Sequence, residues 1–411
     1  SICFKFMYSD SDMMKEYMSA LDDINSETVE YVRGIQVIKI FNMVVESFER
    51  LYKSIIRYSE VVNKECQMCR RPYVIFQVCM LSLSALIVPV AYIAMPKSPQ
   101  ASETISLVVF FAAFSGLLMS AFMKVMFFSK NFEMANDAIS KLESLFDEMD
   151  KNKLAHGDVS DMTSHDIDFS GVTFRYEEGV DVLTDFSLKL ESGKKYALVG
   201  SSGSGKSTIA KLISGFYPVS SGELKIGGVD ISKYKRETLE HEIAFVFQNA
   251  KLFKTSIYEN VKIGRPDASR EEVIKALDLA MCGSILDKFE TREDTIIGAK
   301  GVHLSGGETQ RIAIARAILK DAPIIILDEA SAASDPENEY EMQQAFSKLM
   351  EGKTVIMIAH RLSSIRNVDE ILVVEDGKVT ERGSHDELIV KDSKYKKLQN
   401  LYNQANEWRL S

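Results

Sequence analysis

YALVGSSGSGKSTIAKLISGFY, residues 196–217, decides how this chain folds. Its first residues make a short apolar run, GSSGSGKST at 200–208 fits the pattern GxxxxGK[ST], and KSTIAKLISGFY has the spacing of a helix. Strand, glycine loop and helix in that order predict a phosphate-binding loop. The backbone amides of Gly200, Ser201, Ser202, Gly203, Ser204 and Gly205 turn toward phosphate oxygens, Lys206 adds a point charge, Ser207 suits a Mg2+ ion, and Thr208 completes the motif. Such a loop also needs a carboxylate for the metal. IIILDEA at 324–330 supplies one, as four apolar residues of a buried strand ending in Asp328 and Glu329. Asp328 is suited to hold Mg2+ through water, and Glu329 to polarise an attacking water.

Outward from that loop, DIDFSGVTFRY, IAFVF, IIILD and TVIMIAH read as further strands, separated by helical stretches. The predicted fold is an α/β P-loop nucleotide-binding domain over residues 165–411, with a parallel sheet at its core. A second loop, HLSGGETQ at 303–310, feeds directly into a helix. Ser305 and Glu308 form a capping box, while Gly306 and Gly307 are poor helix formers placed where a bound anion could approach closely.

Upstream the composition changes. Residues 73–95, YVIFQVCMLSLSALIVPVAYIAM, carry no charge, and neither do residues 104–123, TISLVVFFAAFSGLLMSAFM. About 20 apolar residues cross a hydrocarbon layer, so membrane spans are expected at 73–95 and 104–127, joined by the turn PKSPQASE. Two buried core helices are the alternative. Lys64, Arg70, Arg71, Lys124 and Lys130 flank the hairpin, against Lys97 alone in its turn, which places both open ends in the cytoplasm. Residues 1–72 then form cytoplasmic helices and 128–150 a helix extension, so that 1–150 make an α-helical transmembrane region. The Gly/Ser/Asp-containing segment 151–164 is the linker.

The net charge of −10 over 411 residues argues against a nucleic-acid partner, which would need clustered basic residues. Five scattered cysteines give no disulfide framework, and the lone Cys66-x-x-Cys69 pair lacks two further ligands for zinc.

LSGGE at 304–308, after GSSGSGKST and before IIILDEA, resembles the signature of the ATP-binding cassette (ABC) transporters, along essentially the whole chain. That resemblance implies ATP-driven transport of a solute across the cell membrane by a multi-pass protein whose ATP-binding domain is cytoplasmic. It implies a second half-transporter subunit, identical or different, whose signature faces this chain's phosphate loop, so that each ATP lies between two chains. Leu304, Ser305, Gly306, Gly307 and Glu308 would then serve the partner's nucleotide. By the same resemblance Tyr176 stacks on adenine, Gln248 touches Mg2+ and the attacking water, His360 contacts the γ-phosphate, and Asp335 lies in the segment SAASD that crosses the interface. Three departures stand out. Glu308 replaces the usual glutamine, Ser334 the usual leucine, and GAKG at 298–301 lacks an acidic residue common in exporters. SETVEYVRGIQVIKIFNMVVESFER, residues 26–50, resembles the loop between the fourth and fifth membrane helices, with a coupling helix near 41–50. The two spans would be the fifth and sixth, with the first four absent from this chain. Export is expected; the alternatives are an exporter-fold importer of iron siderophores and a non-transport ABC ATPase.

Overall fold

The structure is a computed structural model. It describes residues 11–41, 46–94, 101–151, 153–176, 179–298, 302–328, 336–359 and 365–410, which divide into two compact units, Ser1–Glu143 and Ser144–Ser411.

The first unit is helical. It contains α1 (Ser11–Phe41), α2 (Glu46–Ala94) and most of α3 (Ala101–Lys151). Charged contacts tie α1 to its neighbours. Arg57 pairs with Asp23, Lys64 donates to Glu16 at 3.1 Å and Lys141 to Asp22 at 2.7 Å, while the Tyr17 and Tyr58 rings meet at 5.6 Å. Partner numbers fall on α2 as they rise on α1, so the two helices run antiparallel. These ion pairs are exposed and contribute at most about 1 kcal/mol each. Further along, Phe76 of α2 packs edge-on against Phe122 of α3, and apolar side chains such as Val78, Leu86, Ile93, Val109 and Leu117 remain exposed along both helices. A water-facing surface of that kind is unfavourable and suits contact with lipid. Among the described residues one stretch, Val108–Val125, is by length and composition apolar enough to cross a membrane. The expected first span is helical through Ala94; Met95 and most of the expected turn lie outside the described residues, as do residues 42–45 of the expected coupling helix.

The second unit is built on two sheets. β1 (Ile167–Arg175), β2 (Asp181–Leu190), β4 (Ser221–Ile226) and β5 (Val229–Asp230) form an antiparallel sheet in the order β2-β1-β4-β5. The central sheet has the order β10-β9-β3-β8-β7-β6, with β3 Lys195–Val199, β6 Ile243–Val246, β7 Ile324–Asp328, β8 Thr354–Ile358, β9 Glu370–Glu375 and β10 Lys378–Gly383. Its five strands from β9 to β6 are parallel, as expected, and β10 returns antiparallel. β7 and β8 are apolar along almost their whole length because both faces are covered. One face packs with the antiparallel sheet and α4 (Lys206–Ile213). The other packs with a helical layer that includes α5 (Ile257–Lys262), α6 (Arg270–Leu279), α7 (Gly306–Lys320) and α8 (Pro336–Leu349).

Residues expected to form the linker pack on this unit. Leu154 is buried in its core, and Val159 accepts from Lys235 N at 2.9 Å while donating to Lys233 O at 3.0 Å.

Candidate functional site

β3 ends at Val199 beside β8 and β9, and the glycine loop leaves from the C-terminal edge of the sheet. Gly200 has φ 150°, and a Cβ there would lie 2.1 Å from the Val374 carbonyl oxygen of β9. Only glycine lets the loop pass that close to the neighbouring strand. The loop is pinned a second time where Gly377, in the β9–β10 turn, donates its N–H to Ser204 O at 3.1 Å.

Lys206 opens α4 and folds its ammonium into the loop. It donates to the carbonyls of Gly200 at 3.0 Å and Ser201 at 2.6 Å, and to Ser204 Oγ at 3.2 Å. Burial pushes this ammonium below the ordinary lysine range, and the Asp328 carboxylate pulls it back up. A buried cation with, among the described residues, one nearby carboxylate is arranged to accept further negative charge. Ser201, Ser202, Gly203 and Ser207 are exposed around it.

Asp328 is the last residue of β7. It sits in register with Ile358 of β8, which lies beside the end of β3, so Asp328 is two strand spacings, about 10 Å, from the loop's origin. Gln248 follows β6 in an exposed turn and lines the same groove as Asp328, together with Phe247, Arg316 and Lys320. Glu329, Asp335 and His360 lie outside the described residues, as do Ser334 and the centre of GAKG. Glu329 directly follows Asp328 in sequence, and His360 follows the buried Ala359.

Tyr176 stands beside the phosphate loop, 42 % exposed, with its hydroxyl 3.2 Å from Thr208 Oγ1. Phe174 and Tyr217 meet its ring edge-on at 4.9 and 5.3 Å, and Lys211 Nζ lies 5.5 Å from its centroid. These neighbours fix the plane of a partly open aromatic ring. Sequence reasoning found Tyr176 but not Tyr217, which sits 41 residues on without a shared period.

The second loop has the predicted cap. Ser305 Oγ accepts from Glu308 N at 3.2 Å, and Glu308 Oε2 accepts from Ser305 N at 2.7 Å. Leu304 packs against the helical core behind it. At Gly306 an added Cβ would meet nothing within 4 Å, and at Gly307 the nearest atom would be Met342 Cε at 3.6 Å. Packing among the described residues therefore does not ask for glycine at 306. α7 is anchored by buried Arg311, which donates to Met281 O at 2.9 Å and Asn338 Oδ1 at 2.8 Å and pairs with Glu341. Among the described residues, none of the hydrogen bonds or ion pairs of 304–308 reaches 200–208; the side-chain contacts of Ser305 and Glu308 are with each other's backbone N–H and with Lys288.

Residues 183–332 match the family model described as ABC transporter. Along 404 residues the chain is 34 % identical to the ATP-dependent lipid A-core flippase of Neisseria meningitidis serogroup A, covering 95 % of this chain and 62 % of that protein. It is 47 % identical over 237 residues to the protein of the same name from Pasteurella multocida, covering 57 % of this chain and 41 % of the relative. Over 238 residues it is 44 % identical to the putative multidrug export ATP-binding/permease protein YgaD of Bacillus subtilis, with 58 % and 41 % covered. The solved structure of a bacterial Atm1-family ABC exporter with ATP bound superposes with a TM-score of 0.75 at 26 % identity, over 97 % of this chain and 69 % of that one. The chain thus spans between 41 % and 62 % of the length of these curated relatives.

Proposed function

We propose, for a chain whose residues 183–332 are a domain of the ABC transporter family and whose full length resembles exporters of that family, that it hydrolyses ATP to drive export of a solute across a membrane. The observation that carries this reading is the glycine loop at 200–205, closed around buried Lys206, passing close to β9 and hydrogen-bonded to the β9–β10 turn. It fits a triphosphate because exposed backbone, a buried cation and a helix N-terminus converge there. Ser207, Gln248 and Asp328 are the residues that would hold Mg2+, which supplies charge neutralisation to the phosphates. The purine stacks on the open face of Tyr176. Glu329 accepts a proton from water as the water oxygen attacks the γ-phosphorus and the bond to the departing ADP breaks. His360 contacts the γ-phosphate.

The working unit is two such subunits. Ser305, Gly306 and Gly307 of one receive the ATP held by residues 200–208 of the other, and Asp335 lies at their interface. Gly306 supports this arrangement, since among the described residues nothing lies within 4 Å of where its side chain would begin. Residues 73–95 and 104–127 cross the membrane, with both ends of the hairpin cytoplasmic. The exposed apolar surface on α2 and α3 supports that placement. Relatives named for lipid flipping and for drug export favour outward movement over siderophore import.

Two results check this reading. In vesicles carrying the full-length protein, solute movement should require ATP and vanish with Lys206→Ala; movement that survives that change would contradict ATP-driven transport. Separately, Tyr176→Ala should weaken ATP binding by about 1–3 kcal/mol, the range for base–aromatic stacking, as read by titration with a fluorescent nucleotide. Tyr176→Phe should lose much less, since it forfeits only the contact with Thr208. Equal losses would assign the effect to the hydroxyl.

A further inference from the structure

Glu308 occupies a position that a neutral glutamine would also satisfy, and its surroundings show how a carboxylate is accommodated. It is 6 % exposed, at the third position of α7, within one helical turn of the Ser305–Gly307 loop. Burial alone would raise its pKa. The contact with Lys288 and the hydrogen bond from Ser305 N outweigh burial and hold the carboxyl below the ordinary glutamate range. One oxygen accepts from Ser305 N, and the other meets Lys288 Nζ. Lys288 comes from a different element, just after the helical turn Gly283–Leu286, and its side chain is 56 % exposed beside a carboxylate that is 8 % exposed.

A negative group in that position has two effects on the loop. As the third residue of the helix it completes the cap. As an unpaired charge it would answer the positive helix N-terminus itself and repel any other anion brought there. Lys288 removes the second effect while leaving the first intact. We propose that Lys288 is a positioning residue for the shared nucleotide site: it neutralises and fixes Glu308, so that the loop at Ser305 to Gly307 can receive the polyphosphate held by a second copy of the chain. This rests on the reading of that loop given above.

The test is a double-mutant cycle in the full-length protein, read by ATP occlusion in the dimer. Lys288→Ala should lower occlusion about tenfold in the parent, because it leaves a buried carboxylate uncompensated. Introduced into Glu308→Gln, the same change should lower it less than twofold. Lys288→Arg should behave like the parent, because it keeps a positive charge beside the buried carboxylate. Thermal unfolding of each variant accompanies the series. A tenfold loss from Lys288→Ala that persists in the Glu308→Gln background would overturn the proposal, and so would a Lys288→Ala protein that occludes ATP like the parent. Ser305→Arg, run in parallel, separates the two levels. If it occludes ATP normally, the loop does not serve a nucleotide at all. If it is inactive while Lys288→Ala is normal, only the role of Lys288 fails.

Discussion

Glu329→Gln should bind ATP about as tightly as the parent and hydrolyse it 10²–10⁴-fold more slowly, the range for removing a general base. The amide keeps the shape of the side chain and loses the ability to take the proton from water. Asp328 immediately before it ends a strand whose preceding residues are buried, so Asp328 is held by the sheet whatever side chain stands at 329. Steady-state hydrolysis and equilibrium nucleotide binding, measured on the same preparation, separate the two steps. Hydrolysis near the parent rate would remove Glu329 from the role of base. Loss of binding together with hydrolysis would mean that the substitution had disturbed the loop instead.

Alanine at two glycines should produce opposite results on stability and the same result on hydrolysis. At Gly200 an added Cβ would meet the backbone carbonyl of Val374 at 2.1 Å, where no flexible side chain can give way. Gly200→Ala is expected to lower stability by about 2–4 kcal/mol, typical of backbone strain at a packed site, and to open the phosphate loop. At Gly306 the added Cβ would meet nothing within 4 Å among the described residues, and alanine is the better helix former by about 1 kcal/mol. Gly306→Ala should leave the melting temperature unchanged or raise it, yet slow hydrolysis by about a hundredfold, because a displaced phosphate misaligns the reacting atoms. A stable Gly306→Ala protein with full activity would show that nothing approaches that glycine closely.

What the sequence made legible follows from where its signals are local. IAFVF, IIILD and TVIMIAH stand out because strands covered on both faces are apolar without interruption, and the phosphate loop stands out because its motif is contiguous. β2 and β10 are harder to read, since exposed residues interrupt both, only Gly383 of β10 is buried, and β10 offers little but Val379 as an apolar side chain. The β9–β10 hairpin did carry a signal, Asp376-Gly377. Both residues have positive φ, 46° and 71°, as a tight two-residue turn between Glu375 and Lys378 requires. That turn places Gly377 against the phosphate loop. Contacts joined only by folding left no trace in the sequence. Lys288 and Glu308 are separated by 20 residues, and Tyr176 and Tyr217 by 41, with no period connecting either pair.

ATP trapping by a mixed dimer tests most directly whether two chains share each nucleotide. One full-length subunit carries Lys206→Ala, which disables its phosphate loop, and the other carries Ser305→Arg, which blocks its second loop with bulk. Each variant paired with itself should trap no nucleotide. In a verified mixed dimer, a shared geometry brings both lesions into one site and leaves the other with an unaltered phosphate loop facing an unaltered Ser305–Gly307 loop. That dimer should trap ATP at one site, about half the parent amount. Trapping is the readout because hydrolysis could require both sites together. If the two loops of one chain served the same nucleotide, each lesion would spoil its own chain's site, and mixed dimers that trap no ATP would contradict the shared-site account.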